Sequence, residues 1–132
     1  MDIATGPGTL NEVQAALDAF WSLHHEVPSG VRMEIEIAAC EIAANIVEHC
    51  CPTGLQMELH ILLNEVQVEF IDTGAPIAVD LESACMPGEM AERGRGLAMA
   101  RAALRLLSYC RDEMGNHWRL VSREFSGSAN LC

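Results

Sequence analysis

The sequence contains no lysine, and all eight of its basic residues are arginine. A Walker A P-loop and a Schiff-base enzyme each need a lysine, so both classes are excluded. The sequence has 19 acidic residues and eight arginines, so its formal net charge is −11 at pH 7. Contacts to nucleic acid need a basic patch, so direct nucleic-acid binding is not expected. The acidic balance favours a basic protein partner, or an anionic ligand held locally by backbone dipoles.

The sequence also lacks long apolar runs, and its longest run is shorter than a membrane span. The start at Met1 has neither the basic region nor the apolar region of a signal peptide. We therefore expect a cytoplasmic protein with no membrane contact. None of the six cysteines forms a C-x-x-C pair, and reduced thiols are expected. A metal site around Cys40, His49 and Cys50 is a weak alternative, since structural-zinc spacing is absent.

The chain has 132 residues, half of them hydrophobic, which is enough for one domain with a real core. We predict a domain over residues 9–125, with flexible termini at residues 1–8 and 126–132. The pattern predicts these elements in order: a helix capped by Thr9 and Glu12 and ending near His25, a helix over about 31–50, a hairpin turning at Asn64 and Glu65, a loop over 73–93, a helix over about 95–107, and a hairpin over about 107–125 turning at residues 113–116.

Strands paired as hairpins, with the helices grouped on one face, make an α+β fold rather than a doubly wound sheet. The expected architecture is a two-layer sandwich with a mixed, mostly antiparallel sheet. In the first helix, Leu17, Phe20 and Trp21 lie on an apolar stripe. This stripe is either the core face of an amphipathic helix or, in part, a contact patch for a protein partner.

Glu41 and Asn45 lie four residues apart in the second predicted helix and therefore share one face. A solvated polar face is the simplest interpretation of this pair. Asparagine is a poor helix former, however, which favours a functional reason for its presence. A carboxamide oxygen suits Mg²⁺ beside phosphates, and a carboxylate one turn away can accept a proton from water or a serine hydroxyl.

Asp72 ends a predicted strand and is followed by Gly74. Asp-x-Gly at a strand end is a common turn, and that is one interpretation. The other is a carboxylate on the floor of a pocket, where it accepts a hydrogen bond from an exocyclic amine. Gly74 would then allow the backbone to approach a flat ring closely.

Gly94 and Gly96 precede Leu97 at the start of the third predicted helix. Glycines let backbone amides turn towards an anion, and a helix N-terminus adds a favourable dipole. Arg93 and Arg95 flank this segment and could reach phosphate oxygens. An ordinary helix start is the alternative interpretation.

The three segments Glu41–Asn45, Asp72–Pro76 and Gly94–Leu97, in this order, resemble the three nucleotide-binding boxes of the GHKL ATPases. The small size narrows the resemblance to the anti-sigma factor serine/threonine kinases, over about residues 10–125. It implies ATP and Mg²⁺ as ligands, with Asn45 holding Mg²⁺, Glu41 as general base and Asp72 on the adenine amino group. The implied nucleotide-binding residues are Asn45, Asp72, Gly74, Arg93, Gly94, Gly96 and Leu97.

The resemblance also implies the biological role. It predicts a kinase that phosphorylates a STAS-domain anti-sigma antagonist and switches between that partner and a sigma factor. A GHKL-fold binding module without phosphotransfer is the first alternative. A histidine-kinase catalytic domain is the second, and it is disfavoured because no phosphoacceptor helix pair is recognised.

Two departures from the family pattern bear on these expectations. Family members usually open with a strand that helps form dimers, and here only a few residues precede the first helix, so a homodimer is left open. The final family strand usually begins with Gly-Thr, which contacts the nucleotide. The matching segment here begins with Gly115 and Asn116, and this difference bears on ATP affinity.

Overall fold

The computed structural model describes residues 2–4, 6–50, 54–74, 98 and 101–125. Residue 98 and residues 101–103 are helical, and a π-helical turn over Ile46–Cys50 extends the second helix. The other elements are β1 (Asp2–Ala4), α1 (Thr9–Leu23), α2 (Ser29–Asn45), β2 (Gly54–Leu62), β3 (Glu65–Asp72), β4 (Leu106–Asp112) and β5 (Gly115–Val121).

The five strands form one sheet in the order β1-β2-β3-β5-β4, and every described pairing is antiparallel. Helix α2 packs against β3 and β5, while α1 packs against α2 and β1. The predicted α+β two-layer sandwich is therefore confirmed. Strand β5 lies between β3 and β4, so the β4–β5 hairpin pairs through β5 with β3, the strand that ends at Asp72.

The core lies between the helices and one face of the sheet. On β3, Val66, Val68 and Phe70 are fully buried at alternate positions, and Trp118 and Leu120 are buried on β5. They form one apolar cluster with the buried side of α2, which contributes Val31, Ile35, Ala38, Ala39, Ile42 and Ala43. The same alternation places Asp72 two residues beyond Phe70, and Asn116 two residues before Trp118, at the end of this face.

Helix α1 packs against this core with the apolar stripe described in the sequence analysis. Leu17 is 0% exposed and Trp21 is 6% exposed, so both are core residues. The indole Nε1–H of Trp21 donates a 2.7 Å hydrogen bond to Glu36 of α2. Phe20 is only partly buried, and Leu10 and Leu23 are exposed. Core packing therefore explains most of the stripe.

The N-terminal segment differs from expectation. Ile3 is 1% exposed and pairs with Leu55 of β2, so residues 2–4 form the edge strand β1. The prediction of a flexible segment over residues 1–8 is wrong for these three residues, and a strand does precede the first helix. A strand of three residues is too short to show an alternating pattern in sequence.

The start of α1 also differs. The helix begins at Thr9 with Gly8 as its N-cap residue, so the predicted capping box centred on Thr9 is wrong. The Thr9 side chain is buried, and its Oγ1 accepts a 2.8 Å hydrogen bond from the backbone N–H of Gly6. Thr9 therefore stabilises the turn that precedes the helix.

Both hairpins have two-residue loops, and each turn lies one residue from its predicted position. Leu62 pairs with Glu65, so the first loop consists of Leu63 and Asn64. Both residues have positive φ, 54° and 63°, which suits the right-handed twist of a tight hairpin. The alternation of apolar residues from Leu55 predicts a buried Leu63, but Leu63 lies in the turn and is 81% exposed.

The third predicted helix ends earlier than expected. Residues 101–103 are helical, Leu104 is outside the helix, and β4 begins at Leu106. The backbone N–H of Arg105 bonds Val121, and its guanidinium forms an ion pair with the buried Glu65. In this segment, pairing with β5 therefore outweighs the helical spacing of the apolar residues.

No helix in the described part of the chain is long and apolar enough to cross a membrane.

Candidate functional site

Asp72 is a buried carboxylate at the end of β3, on the side of the strand that faces the core. Its side chain is 1% exposed. Its Oδ1 accepts a 2.8 Å hydrogen bond from the backbone N–H of Gly74, which closes an Asx turn. The turn interpretation and the functional interpretation of Asp-x-Gly are therefore compatible, because the turn uses only one of the two carboxylate oxygens.

The second oxygen of Asp72, Oδ2, is buried and has no hydrogen-bond partner among the residues that the structure describes. An acceptor left in this state destabilises a protein by about 1–3 kcal/mol. Such atoms are rare in folded proteins and call for an explanation. A ligand with an N–H group at this position would supply the missing donor.

Asn116 holds Asp72 from the neighbouring strand. The two residues are directly paired in the β3–β5 register, and Asn116 is fully buried. Its Nδ2 donates to Asp72 Oδ1 at 2.9 Å and to the carbonyl oxygen of Gly74 at 3.3 Å. Its Oδ1 accepts from the Tyr109 hydroxyl at 2.5 Å and from Arg111 at 3.0 Å. Asn116 therefore links the end of β3 to the side chains of Tyr109 and Arg111 on β4.

Gly115 brings the turn of the last hairpin against the end of β3. It has a φ of 127°, a conformation that side chains disfavour. A Cβ atom at this position would lie 2.1 Å from the carbonyl oxygen of Asp72. The glycine is therefore required for the close approach that places Asn116 beside Asp72.

Glu41 and Asn45 meet on α2, as their spacing predicts. Asn45 Nδ2 lies 3.5 Å from Glu41 Oε2, at the long end of hydrogen-bond distance. Asn45 is 3% exposed and Glu41 is half-buried, so a fully solvated polar face is the wrong interpretation of this pair. The π-helical turn begins one residue after Asn45. Such turns interrupt α-helices frequently at functional sites.

A cleft of about 340 Å³ opens beside Asp72 at the end of the sheet. Its lining includes Asp72 and Thr73, Ile3 of β1, Leu55 of β2 and Met114 of the last hairpin turn. Strand β1, which the sequence did not reveal, therefore contributes to the surroundings of Asp72. The structure brings Glu41 to Asn45, and Asp72 to Gly74, as two separate contacts.

Four of the predicted nucleotide-binding residues cannot be placed. Arg93, Gly94, Gly96 and Leu97 lie outside the described residues, as does most of the loop predicted over residues 73–93. Their assignment stays a prediction.

The structure does not test the alternative metal site, because the side chains of His49 and Cys50 lie outside the described residues. No group of three or more His, Cys, Asp or Glu side chains among the described residues could hold a metal ion. Cys40 is half-buried, and burial, with a further contribution from Glu36, raises the pKa of its thiol.

Sequence reasoning did not identify Tyr109 and Arg111 as parts of the site, and it named Asn116 only as a departure from the family pattern, without its contact with Asp72. The available signal was the pairing of a Gly-Asn strand start with the Asp-x-Gly strand end. That signal requires the strand order β3-β5-β4, which the sequence does not show.

The comparisons with known proteins agree with the fold described above. Residues 3–122 match the family model of the histidine kinase-like ATPase domain. Among solved structures, the histidine kinase domain from the blue-light activated histidine kinase of Erythrobacter litoralis EL346 is similar, with a TM-score of 0.56 and 12% sequence identity. The match covers 87% of this chain and 59% of that chain. None of the curated proteins compared with the chain matches it.

The family match spans most of the chain, so the protein belongs to the histidine kinase-like ATPase domain family, within the GHKL superfamily. The structural similarity, at 12% identity, shows the shared fold alone. This chain spans about three fifths of the length of the matched kinase domain. Family membership supports an ATP-binding function of the GHKL type.

Proposed function

We propose that the protein is a cytoplasmic serine/threonine kinase of the anti-sigma factor type. It binds Mg·ATP and phosphorylates a STAS-domain antagonist, and phosphorylation determines whether it holds that antagonist or a sigma factor. The observation that carries the nucleotide part is the buried Oδ2 of Asp72, which has no partner among the described residues.

The adenine amino group matches this oxygen in polarity. The amino group is a donor, and Asp72 Oδ2 is an acceptor at the end of the core-facing side of β3. Desolvating a charged acceptor is costly unless a donor compensates, so a bound amine relieves an existing cost. Gly74, whose N–H is already turned to Asp72, presents no side chain to a flat ring above it.

The described residues fit Mg²⁺ as a companion of the nucleotide. Asn45 offers one hard oxygen ligand, and the described residues form no acidic cluster that could hold the ion by itself. Mg²⁺ commonly binds through one or two protein ligands together with substrate phosphates. We therefore expect Asn45 to hold the ion when ATP is present. The ion would neutralise charge on the phosphates.

Glu41 is suited to act as the general base. In the proposed step it accepts the proton of the substrate hydroxyl, whose oxygen attacks the γ-phosphorus. The bond from the γ-phosphorus to the bridging oxygen breaks, and ADP leaves with that oxygen. The long contact between Glu41 and Asn45 is compatible with this role, since catalytic hydrogen bonds often tighten only in the complex.

A binding module without phosphotransfer is the second candidate. Its supporting observation is Asn116, which replaces the threonine of the family pattern in the last strand. In this case the protein would hold a sigma factor or an antagonist, and nucleotide would serve at most as a ligand.

A transfer assay with γ-labelled ATP tests the proposal. The chain is incubated with Mg²⁺ and STAS-domain proteins from the same genome, and a separate reaction contains a histidine phosphoacceptor domain. Labelled STAS protein that retains phosphate in acid and loses it in alkali supports serine or threonine transfer. Tight STAS binding without any label favours the binding module. Acid-labile label on the phosphoacceptor domain alone identifies a histidine kinase activity.

A further inference from the structure

The carboxylate of Asp72 has two chemically different oxygens in this structure. Oδ1 accepts from the Gly74 N–H at 2.8 Å and from Asn116 Nδ2 at 2.9 Å. A carboxylate oxygen has two lone pairs, so these two bonds use its accepting capacity. Of the two carboxylate oxygens of Asp72, Oδ2 is therefore the one that can accept a hydrogen bond from a ligand.

The surroundings of Asn116 determine which end of its carboxamide faces Asp72. Arg111 and the Tyr109 hydroxyl both approach the Asn116 Oδ1 atom. A guanidinium has donors only, so the atom that it contacts must be the carbonyl oxygen. The amino group must then point to Asp72, and the reverse orientation would place two acceptors against each other. Arg111 also donates to the Gly74 carbonyl oxygen at 2.9 Å, which links the same group to the turn.

We infer that Asn116, held by Tyr109 and Arg111, is a positioning residue that makes the base site selective for adenine over guanine. This inference rests on the proposed nucleotide function of Asp72. The amino group of Asn116 has two hydrogens and donates to both Asp72 and the Gly74 carbonyl oxygen. A hydroxyl side chain has one hydrogen and could make only one of these two bonds.

The selectivity follows from the number of donors that each base presents. Adenine carries an N6 amino donor, which a single oxygen can accept. In the same pose guanine presents its O6 acceptor, which repels a carboxylate. A rotated guanine presents two adjacent donors, N1–H and N2–H, and these need both carboxylate oxygens. Asn116 and Gly74 occupy Oδ1, so the rotated pose loses one of its two acceptors.

A matched pair of variants isolates this effect. Asn116→Thr and Asn116→Val have nearly the same shape, but only threonine has a hydroxyl that can donate to Asp72 Oδ1. Both variants remove the carboxamide oxygen, but the threonine hydroxyl can still accept from Tyr109 or Arg111 while it donates to Asp72. The difference between the variants therefore reports a hydroxyl held between these groups and Asp72 Oδ1, while thermal unfolding of both checks that they fold.

Titration calorimetry with Mg·ATP and Mg·GTP measures the selectivity. For the wild-type chain we expect ATP to bind at least about 10²-fold more tightly than GTP, as for a site with a buried polar group left unpaired by the wrong ligand. Asn116→Thr should preserve this ratio within about 3-fold, whereas Asn116→Val should narrow it by about 10-fold or more. If Asn116→Val does not fold, Tyr109→Phe removes one donor that orients Asn116 and should narrow the ratio by about 3-fold.

Hydrogen exchange of the Gly74 amide, measured by NMR without nucleotide, tests the positioning role separately. The Gly74 amide donates to the Asp72 carboxylate, which Asn116 holds in place. Valine cannot hold this carboxylate, so the amide should exchange faster in Asn116→Val than in Asn116→Thr. Equal exchange and equal ATP-to-GTP ratios in the two variants would overturn the inference while the nucleotide function stands. A wild-type chain that binds neither nucleotide would overturn the proposed function and the selectivity together.

Discussion

The two ends of the candidate site are built differently. At the proposed base end, Asp72 and Asn116 are 1% and 0% exposed and are joined by a 2.9 Å hydrogen bond within a wider network. At the proposed phosphate end, Glu41 is half-buried, and its Oε2 lies 3.5 Å from Asn45 Nδ2. Recognition of a flat base needs an acceptor in a defined position, whereas catalytic hydrogen bonds that are long in the free protein often tighten when the substrate binds.

The difference follows from the elements that carry each end. Asp72 and Asn116 belong to paired strands, whose backbone hydrogen bonds fix the register and the relative height of the two side chains. Glu41 and Asn45 share one helix, and the π-helical turn directly after Asn45 departs from α-helical geometry. Strand pairing therefore fixes Asp72 and Asn116 relative to each other, whereas the spacing along one helix sets the distance between Glu41 and Asn45.

The largest expected effect is on chemistry at the phosphate end. Glu41→Gln removes the proposed base and should lower phosphotransfer to a STAS substrate by about 10²–10⁴-fold. ATP affinity should change little, because the base end is untouched. Rates from labelled ATP and affinities from calorimetry separate the two quantities. Glu58→Gln, an exposed change of the same charge on β2, is the control. Equal rates for Glu41→Gln and this control would remove Glu41 from the chemistry.

The next effect should fall on affinity at the base end. Asp72→Asn replaces a charged acceptor and should weaken ATP binding by about 1–3 kcal/mol. The rate of transfer from bound ATP should be affected much less than the affinity. Calorimetry and single-turnover measurements at saturating ATP check this split. If ATP bound the wild type and Asp72→Asn equally well, Asp72 would have no adenine role.

A third change tests whether the base end depends on the close approach of the last hairpin. Gly115→Ala places a Cβ atom 2.1 Å from the Asp72 carbonyl oxygen and requires a disfavoured φ. We expect a loss of about 1–3 kcal/mol in the free energy of unfolding, measured with urea. Gly8→Ala is the matched control, since no atom lies within 4 Å of its added Cβ. A destabilisation no larger than that of Gly8→Ala would show that this approach is not needed.

The smallest effect concerns a surface outside both ends of the site. We predict that the face of α1 around Phe20 and the exposed Leu23 contacts a protein partner, aided by the net charge of −11. Association with a sigma factor or antagonist should then slow between low and high salt, because charges more than about 10 Å apart are screened at 0.1 M. Stopped-flow association rates measure this. Rates that do not change with salt would leave only apolar contacts on this face.

The sequence predicts those parts of the fold in which neighbouring residues carry the signal. The predicted hairpin turning near Asn64 is present, and its second strand carries Val66, Val68 and Phe70 at alternate positions. A spacing of four correctly placed Glu41 against Asn45. In each case the periodicity of one element determines the outcome, so no knowledge of tertiary structure is needed.

The parts that could not be predicted depend on tertiary pairing. Ile3 is buried only because β2 offers an edge, and three residues show no period. The run from Leu104 to Leu107 fits a helix or a strand, and pairing with β5 decides between them. The contact of Asn116 with Asp72 joins residues 44 positions apart and requires β5 to lie between β3 and β4. Local sequence carries no information on that order.

The link between Gly115, Asn116 and Asp72 has a consequence for synthesis of the protein. A nascent chain that ends before residue 115 already contains Glu41, Asn45 and Asp72, but it lacks the side chain that orients Asp72. Chains are made at about 5–20 residues per second, and contacts between distant residues must wait for the later partner to emerge. The proposed base site is therefore completed only after β5 has paired with β3, and a chain terminated before residue 115 would carry Glu41, Asn45 and Asp72 without a finished site.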